Sequence, residues 1–168
     1  MSLSLAILGL VTLQRAGELL LARRNTHRLI AAGAREVAAG HYPLLVLMHA
    51  AWLGGLWILA WRRPVSLPWL GVFVLLQGLR IWVIASLGPR WTTRIIIPSG
   101  RALVQTGPYR LLRHPNYLVV VGEIAVLPLV FGLPTYAALF SLANALVLSV
   151  RIRAEDRALR GPSVSSPP

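Results

Sequence analysis

The sequence predicts an all-α integral membrane protein with about five transmembrane helices, the last two forming a helical hairpin. Three observations carry this. The chain of 168 residues is 56% apolar and only 13% charged, about half the charged share of a soluble domain, so too few polar groups exist to coat a globule. Its mean hydropathy is +0.66, and several apolar stretches approach the roughly 20 residues that span a bilayer as helix. The seventeen basic residues, every one arginine, lie mainly between those stretches, as the positive-inside rule places them. The net charge of +12 is therefore a mark of topology, and nucleic acid is not expected as a partner. With no cysteine, disulfides and thiolate zinc sites are excluded, and no metal is expected.

The first apolar stretch, residues 3–22, carries Gln14, Arg15 and Glu18. It lacks a basic n-region and a small-x-small cleavage site, so it reads as a helix and not as a signal peptide. Arg15 and Glu18, three apart, are expected to form an intramembrane ion pair. The second stretch, 42–61, ends at Arg62-Arg63. After Pro64 and Pro68 comes a third, 67–87, joined to the second by a short turn. Residues 118–150 are again apolar, and Gly132-Leu133-Pro134 breaks them into two shorter helices. Residues 1–160 read as one domain. The serine- and proline-rich segment 161–168 is expected to be disordered.

If all five segments cross, residues 23–41, 88–115 and 151–168 share one side and hold thirteen arginines, against two on the other, Arg62 and Arg63. That asymmetry predicts an N-terminus outside and a C-terminus in the cytoplasm. A lysine-free chain rich in arginine, alanine and leucine suggests a GC-rich bacterial genome, hence the bacterial cytoplasmic membrane.

The polar groups inside the apolar stretches are few. His49 and Gln77 are expected to make interhelical hydrogen bonds, and Arg80 to snorkel or pair with Glu123. Glu123 in an apolar helix costs about 2.5–3.5 kcal/mol on insertion scales, so it must be paired, protonated or functional. Gly54-Gly55 and Gly122 suit close helix approach. Trp61, Trp69 and Trp91 suit an aromatic belt.

The densest polar segment lies between the third and fourth apolar stretches. The β-branched run Ile95-Ile96-Ile97 suits a short extended piece. Gly107-Pro108 makes a turn that aims Tyr109 and Arg110, and Pro115 suits a helix start with His114 just before it. The run Leu103-Val104, Gly107-Pro108-Tyr109, Arg113-His114-Pro115-Asn116-Tyr117, with Glu155-Asp156 following the hairpin, resembles the isoprenylcysteine carboxyl methyltransferase family. The similarity covers roughly residues 87–159, with Asp156 where a second glutamate is common.

That resemblance implies an integral-membrane enzyme using S-adenosylmethionine, its cofactor pocket completed by a cytoplasmic loop and a short C-terminal helix. Tyr109, Arg113, His114, Pro115, Tyr117, Glu155 and Asp156 would line the pocket. An arginine fork suits the cofactor's carboxylate, a carboxylate its hydroxyls or ammonium, and tyrosine faces its adenine or sulfonium. His114, Arg113 and Glu123 are the expected catalytic residues, with His114, Glu123 and Glu155 able to serve as base if the acceptor needs one. No glycine-rich Rossmann fingerprint occurs, so such a pocket must lie between membrane helices.

Within the first half, Gln14-Arg15-x-x-Glu18-Leu19, Arg24-Asn25 and His41-Tyr42-Pro43 resemble a bacterial branch found beside type III polyketide synthases. The acceptor implied is thus lipophilic, either an isoprenylcysteine-like carboxylate or an alkylpyrone or polyketide hydroxyl, reached among membrane lipids. Phospholipid N-methylation, NADPH-dependent lipid reduction and a non-catalytic scaffold or transporter are the alternatives.

Overall fold

In the computed structural model, residues 2–37, 40, 42–97, 106–112 and 114–160 are described, with the backbone alone for 155–160. Five α-helices follow in order: α1 (Leu3–Ala31), α2 (Tyr42–Ala60), α3 (Leu67–Leu87), α4 (Pro115–Val130) and α5 (Pro134–Arg160). Four of them, α1, α2, α3 and α5, are long and apolar enough to cross a membrane. The fifth, α4, has 16 residues and is about 24 Å long at 1.5 Å per residue, short of the ~30 Å hydrocarbon core.

Local chemistry sets the helix ends. Ser2 caps α1 by accepting from the Leu5 amide at 3.3 Å, filling one of the free donors of a helix start. At its other end the Gly33 amide donates to Ile30 O and the Ala34 amide to Leu29 O. This Schellman arrangement needs a left-handed residue, which Gly33 provides at φ +86°. The same pattern closes α4, where Gly132 and Leu133 donate to Leu129 O and Pro128 O and Gly132 has φ +65°. Pro134 then opens α5 after three intervening residues, and the two helices pack against each other.

Two helices are longer than the apolar pattern implies. α1 continues nine residues past Ala22 to Ala31, because Arg23-Arg24 and the following residues contain no glycine or proline to stop it. The expected separate C-terminal helix is corrected likewise: α5 runs unbroken through Arg151 to Arg160. The sequence Arg-Ile-Arg-Ala-Glu-Asp-Arg-Ala-Leu-Arg is made largely of helix formers.

The Ile95–Ile97 run is extended as expected, and it has a partner the sequence did not indicate. Ile96–Ile97 pairs antiparallel with Arg35–Glu36 just past α1, in the register Arg35↔Ile97 and Glu36↔Ile96.

Leu8, Leu56, Phe73, Ile124, Leu127 and Phe131 anchor a core at the α1, α2, α3 and α4 junction. Tyr136 of α5 reaches it by donating to Trp52 O at 2.9 Å. Outside that core the helices present leucine, isoleucine and valine outward, with Leu10, Ile58, Leu75 and Leu142 each more than 60% exposed. Such a surface suits lipid and not water.

Connections sort to the two ends of the bundle. At one, Ser2 and Ser4 hydroxyls donate to Trp61 O, and the Ser66 amide donates to Val130 O at 2.8 Å. At the other, Asn25 donates to Trp91 O at 2.9 Å, and Arg151 reaches Thr93 O at 2.8 Å. α4 thus begins beside one set of connections and ends beside the other.

Candidate functional site

Two polar layers lie within this apolar bundle. The inner one gathers four charged residues from three helices. Glu18 of α1 receives Arg15 Nη1 at 2.8 Å and the Arg80 Nε and Nη2 fork at 2.6 Å each. Glu123 of α4 receives Arg15 Nη2 at 2.8 Å on Oε1 and Arg80 Nη1 at 2.7 Å on Oε2. Two guanidiniums and two carboxylates therefore cancel, and every carboxylate oxygen is engaged. Two glutamines complete the layer. Gln14 donates to Glu18 Oε1 and Gln77 Oε1 at 2.9 and 2.7 Å, and Gln77 donates to Glu123 Oε1 at 2.8 Å.

Both expected pairs, Arg15 with Glu18 and Arg80 with Glu123, are present, and each arginine also bridges to the other carboxylate. Gln77 makes the interhelical bonds expected of it. His49 does not: its Nδ1 bonds Leu45 O of its own helix at 2.9 Å. His49 and Trp52 of α2 nevertheless face the ion layer, lining a small void of about 20 Å³ with Arg15, Arg80, Val120, Glu123 and Ile124.

The outer layer sits where α4 begins. His114 stands at the N-cap position of α4 without a side-chain capping bond, and Pro115 is the first residue of the helix, so proline's fixed φ and missing N–H are at no cost there. The His114 and Tyr117 rings stack with centroids 5.2 Å apart and planes 19° from parallel. Tyr117 Oη accepts from Arg151 Nε at 3.0 Å, while Arg151 Nη1 donates to Thr93 O. Arg151 is buried. The motif at α4, helix α5 and the segment before the extended pair are thereby tied by one guanidinium.

Around it, Arg94 grips Glu36 through both carboxylate oxygens at 2.8 and 2.9 Å and covers the Tyr42 ring at 4.5 Å. Tyr42 Oη lies 3.1 Å from Thr93 Oγ1. Tyr109 lies in a 3-10 turn, Gly107–Arg110, seated on α3. Gly107 has φ +57°, and a Cβ there would strike Ser86 and Trp82.

The sequence therefore brings His114, Pro115 and Tyr117 together, with Tyr109 on the neighbouring turn, while Glu123 belongs to the inner layer. Arg113 lies outside the described residues, as do the side chains of Glu155 and Asp156, whose backbone continues α5 one turn beyond Arg151.

Arg151 is a member that the sequence did not single out, and Trp91 and Asn116 were read there only as a belt residue and as part of the motif run. Trp61 and Trp69 are exposed as belt residues should be, but Trp91 is buried, fixed by Asn25. Among the described residues, Trp91 Nε1 and Asn116 Oδ1 are buried without a partner. Their signal in the sequence was position alone: Asn116 inside the Arg-His-Pro-Asn-Tyr run and Trp91 in the densest polar segment. Among the described residues no group of three or more His, Asp or Glu could hold a metal ion.

Fold and ion layer together define a polytopic helical membrane protein with charge sequestered inside the bundle. Residues 69–161 match the sequence profile of the isoprenylcysteine carboxyl methyltransferase (ICMT) family, and the chain belongs to that family. Its relatives include uncharacterized protein YpbQ of Bacillus subtilis (strain 168), 39% identical over 94% of this chain and 97% of that protein. An uncharacterized protein of Haemophilus influenzae is 29% identical over 81% of this chain and 83% of its own length. The nickel-cobalt-cadmium resistance protein NccN of Alcaligenes xylosoxydans xylosoxydans is 36% identical over 54% of this chain and 43% of its own length. No solved structure matches the chain. Family membership makes it a membrane methyltransferase by class.

Proposed function

We propose that this protein is an S-adenosylmethionine-dependent O-methyltransferase whose cofactor is held at the His114 end of α4 and whose lipophilic acceptor arrives from the bilayer. The observation carrying this reading is the Arg151 junction, which draws the Arg-His-Pro motif, α5 and the Thr93 segment to one place. Residues there suit the cofactor's groups. The stacked His114 and Tyr117 rings offer a face for adenine or a sulfonium. Among the described residues, Trp91 Nε1 and Asn116 Oδ1 are a buried donor and a buried acceptor with no partner, and leaving such atoms unpaired costs about 1–3 kcal/mol each. In this reading Arg113 holds the carboxylate, Glu155 and Asp156 take the ammonium or ribose hydroxyls, and Tyr109 and Pro115 wall the pocket.

S-adenosylmethionine supplies an electrophilic methyl group when bound. The chain's own part is to hold donor and acceptor in line and to exclude water, which can account for much of the acceleration of such a transfer. Glu123 serves as the anchor of the ion layer, its two oxygens held by two guanidiniums.

In the bilayer we place five crossings, with α4 tilting little and the membrane thinning around it. The N-terminus is outside and the C-terminus cytoplasmic, in a bacterial cytoplasmic membrane. The thirteen-to-two arginine split and the gathering of residues 25, 91, 93 and 151 at one end both support this. A polar cofactor then enters from water while the acceptor's tail stays in lipid.

The test is calorimetric titration of detergent-solubilised protein with S-adenosylmethionine, with NADPH in parallel, in the parent and in Glu155→Ala and Arg113→Ala. Binding of the sulfonium cofactor alone, lost in both variants, is expected. Binding of NADPH alone would make the protein a reductase, and binding of neither by folded parent would leave a scaffold or transporter.

A further inference from the structure

We propose that the outward flank of α1 where it leaves the bilayer, carrying Arg23, Arg24 and Arg28, is a docking site for an anionic phospholipid of the adjoining leaflet.

Depth places these side chains among headgroups. The apolar stretch of α1, residues 3–22, spans about 30 Å as an upright helix, the thickness of the hydrocarbon core. Arg23 to Arg28 then rises through about 8 Å more, close to the roughly 5–7 Å that headgroups add on each side.

The bundle fixes which way this end of α1 faces. On its inner flank Ala22, Asn25 and Leu29 are buried, and Asn25 donates to Gly88 O at 3.3 Å and to Trp91 O at 2.9 Å. Arg23, Arg24, His27 and Arg28 are all exposed on the opposite flank. At roughly 100° per residue they cover about 140° of the circumference. Leu13 and Leu20, 71% and 69% exposed, lie within the same arc. One stripe of α1 thus offers leucine to acyl chains and, just beyond, guanidinium to the headgroup those chains carry.

Charge selects the headgroup. Every carboxylate among the described side chains is engaged elsewhere: Glu18 and Glu123 by Arg15 and Arg80, Glu36 by Arg94. Arg23, Arg24 and Arg28 therefore meet no carboxylate among the described residues. A guanidinium fork matches two oxygens of a phosphodiester, and Arg24 and Arg28, one turn apart, are spaced to share one phosphate. A zwitterionic headgroup would bring its own ammonium up to three unpaired cations. An anionic one brings only the charge they lack. A soluble phosphate would meet the arginines without the leucines, so the lipid is the better fit. This site goes beyond the methyl-transfer reading and stands independently of it.

Native mass spectrometry of the full chain released from detergent micelles tests this, with phosphatidylglycerol and phosphatidylcholine of identical acyl chains titrated in turn. Each basic residue near an anionic lipid surface adds roughly fivefold, so the parent is expected to bind phosphatidylglycerol at least about tenfold tighter than phosphatidylcholine. Arg23→Gln, Arg24→Gln and Arg28→Gln combined, which keep good helix formers in place, should abolish that preference. Arg24→Gln alone, a milder change, should cut it severalfold, and lysine at all three positions should keep most of it. Arg110→Gln with Arg153→Gln removes two exposed arginines from other elements and should leave it unchanged. Equal binding of the two lipids by folded parent, or a preference that survives both the triple and the single glutamine variants, would overturn the proposal. So would a matching loss in the Arg110 and Arg153 variant, which would make the preference a property of total charge. Glycerol phosphate that displaces the lipid at equal concentration would overturn it too, making the flank a site for a soluble phosphate.

Discussion

Arg80 Nη1 lies 2.7 Å from Glu123 Oε2 across the α3–α4 interface, with both side chains under a tenth exposed. Each partner also bonds a charge on α1, so the contact is one edge of a closed circuit. Removing one member of a buried pair leaves its partner uncompensated, at about 3–5 kcal/mol. Arg80→Met and Glu123→Leu should each lower the unfolding midpoint in detergent markedly. The double variant, which removes one charge of each sign, should lose clearly less than the two costs added. Additive losses would show the pair to be uncoupled.

Gly55 faces the Tyr136 hydroxyl so closely that a methyl group there must push the ring aside and break its bond to Trp52 O. Gly54 faces open space. Gly55→Ala is expected to destabilise by about 1–3 kcal/mol through overpacking. Gly54→Ala should be neutral or stabilising by up to about 1 kcal/mol, the usual gain of alanine over glycine within a helix. Thermal unfolding of the two variants side by side separates packing from propensity.

Tyr117→Phe keeps the ring against His114 and deletes the oxygen that Arg151 bonds. Hydrogen bonds to charged groups are worth about 1.5–3 kcal/mol, so S-adenosylmethionine affinity should fall by roughly 10-fold or more if the Arg151 junction shapes the cofactor site. Stacking, monitored through the effect of His114→Ala, should contribute separately. An unchanged dissociation constant in Tyr117→Phe would remove Tyr117 from the site.

A chain without cysteine allows clean single-cysteine topology mapping. Arg63→Cys, on the exposed α2–α3 turn, is expected to react with an impermeant maleimide in intact cells. Arg110→Cys, exposed on the turn before α4, should react only after permeabilisation. The reverse pattern would invert the orientation.

The sequence was most legible where glycine and proline punctuate it. The bounds of α3, the Pro115 start of α4 and the Gly132 break are all of that kind. It was least legible where polar residues are also good helix formers, which is why α1 and α5 run past their apolar stretches. Ionic residues inside apolar runs announced that Arg15, Glu18, Arg80 and Glu123 must find partners. Which partner each takes is a tertiary fact: the Arg80–Glu18 bonds join positions 62 residues apart. The role of Arg151 was hidden for the same reason, since its bonds reach 34 and 58 residues back along the chain. His49 looked like one more interhelical bond, and instead it bonds Leu45 of its own helix.

The distribution of the four charges over three helices bears on how the chain enters the bilayer. Within its apolar stretch α1 carries Arg15 and Glu18 together, a pair that is neutral by itself when it leaves the translocon, and its remaining arginines, Arg23, Arg24 and Arg28, lie beyond that stretch. α3 carries Arg80 alone, and α4 carries Glu123 alone, each costing about 2.5–3.5 kcal/mol if released singly into lipid. The stability of the finished circuit thus imposes an order on its birth: α3 is best retained until α4 emerges, and the two partition as a pair onto an α1 already in place.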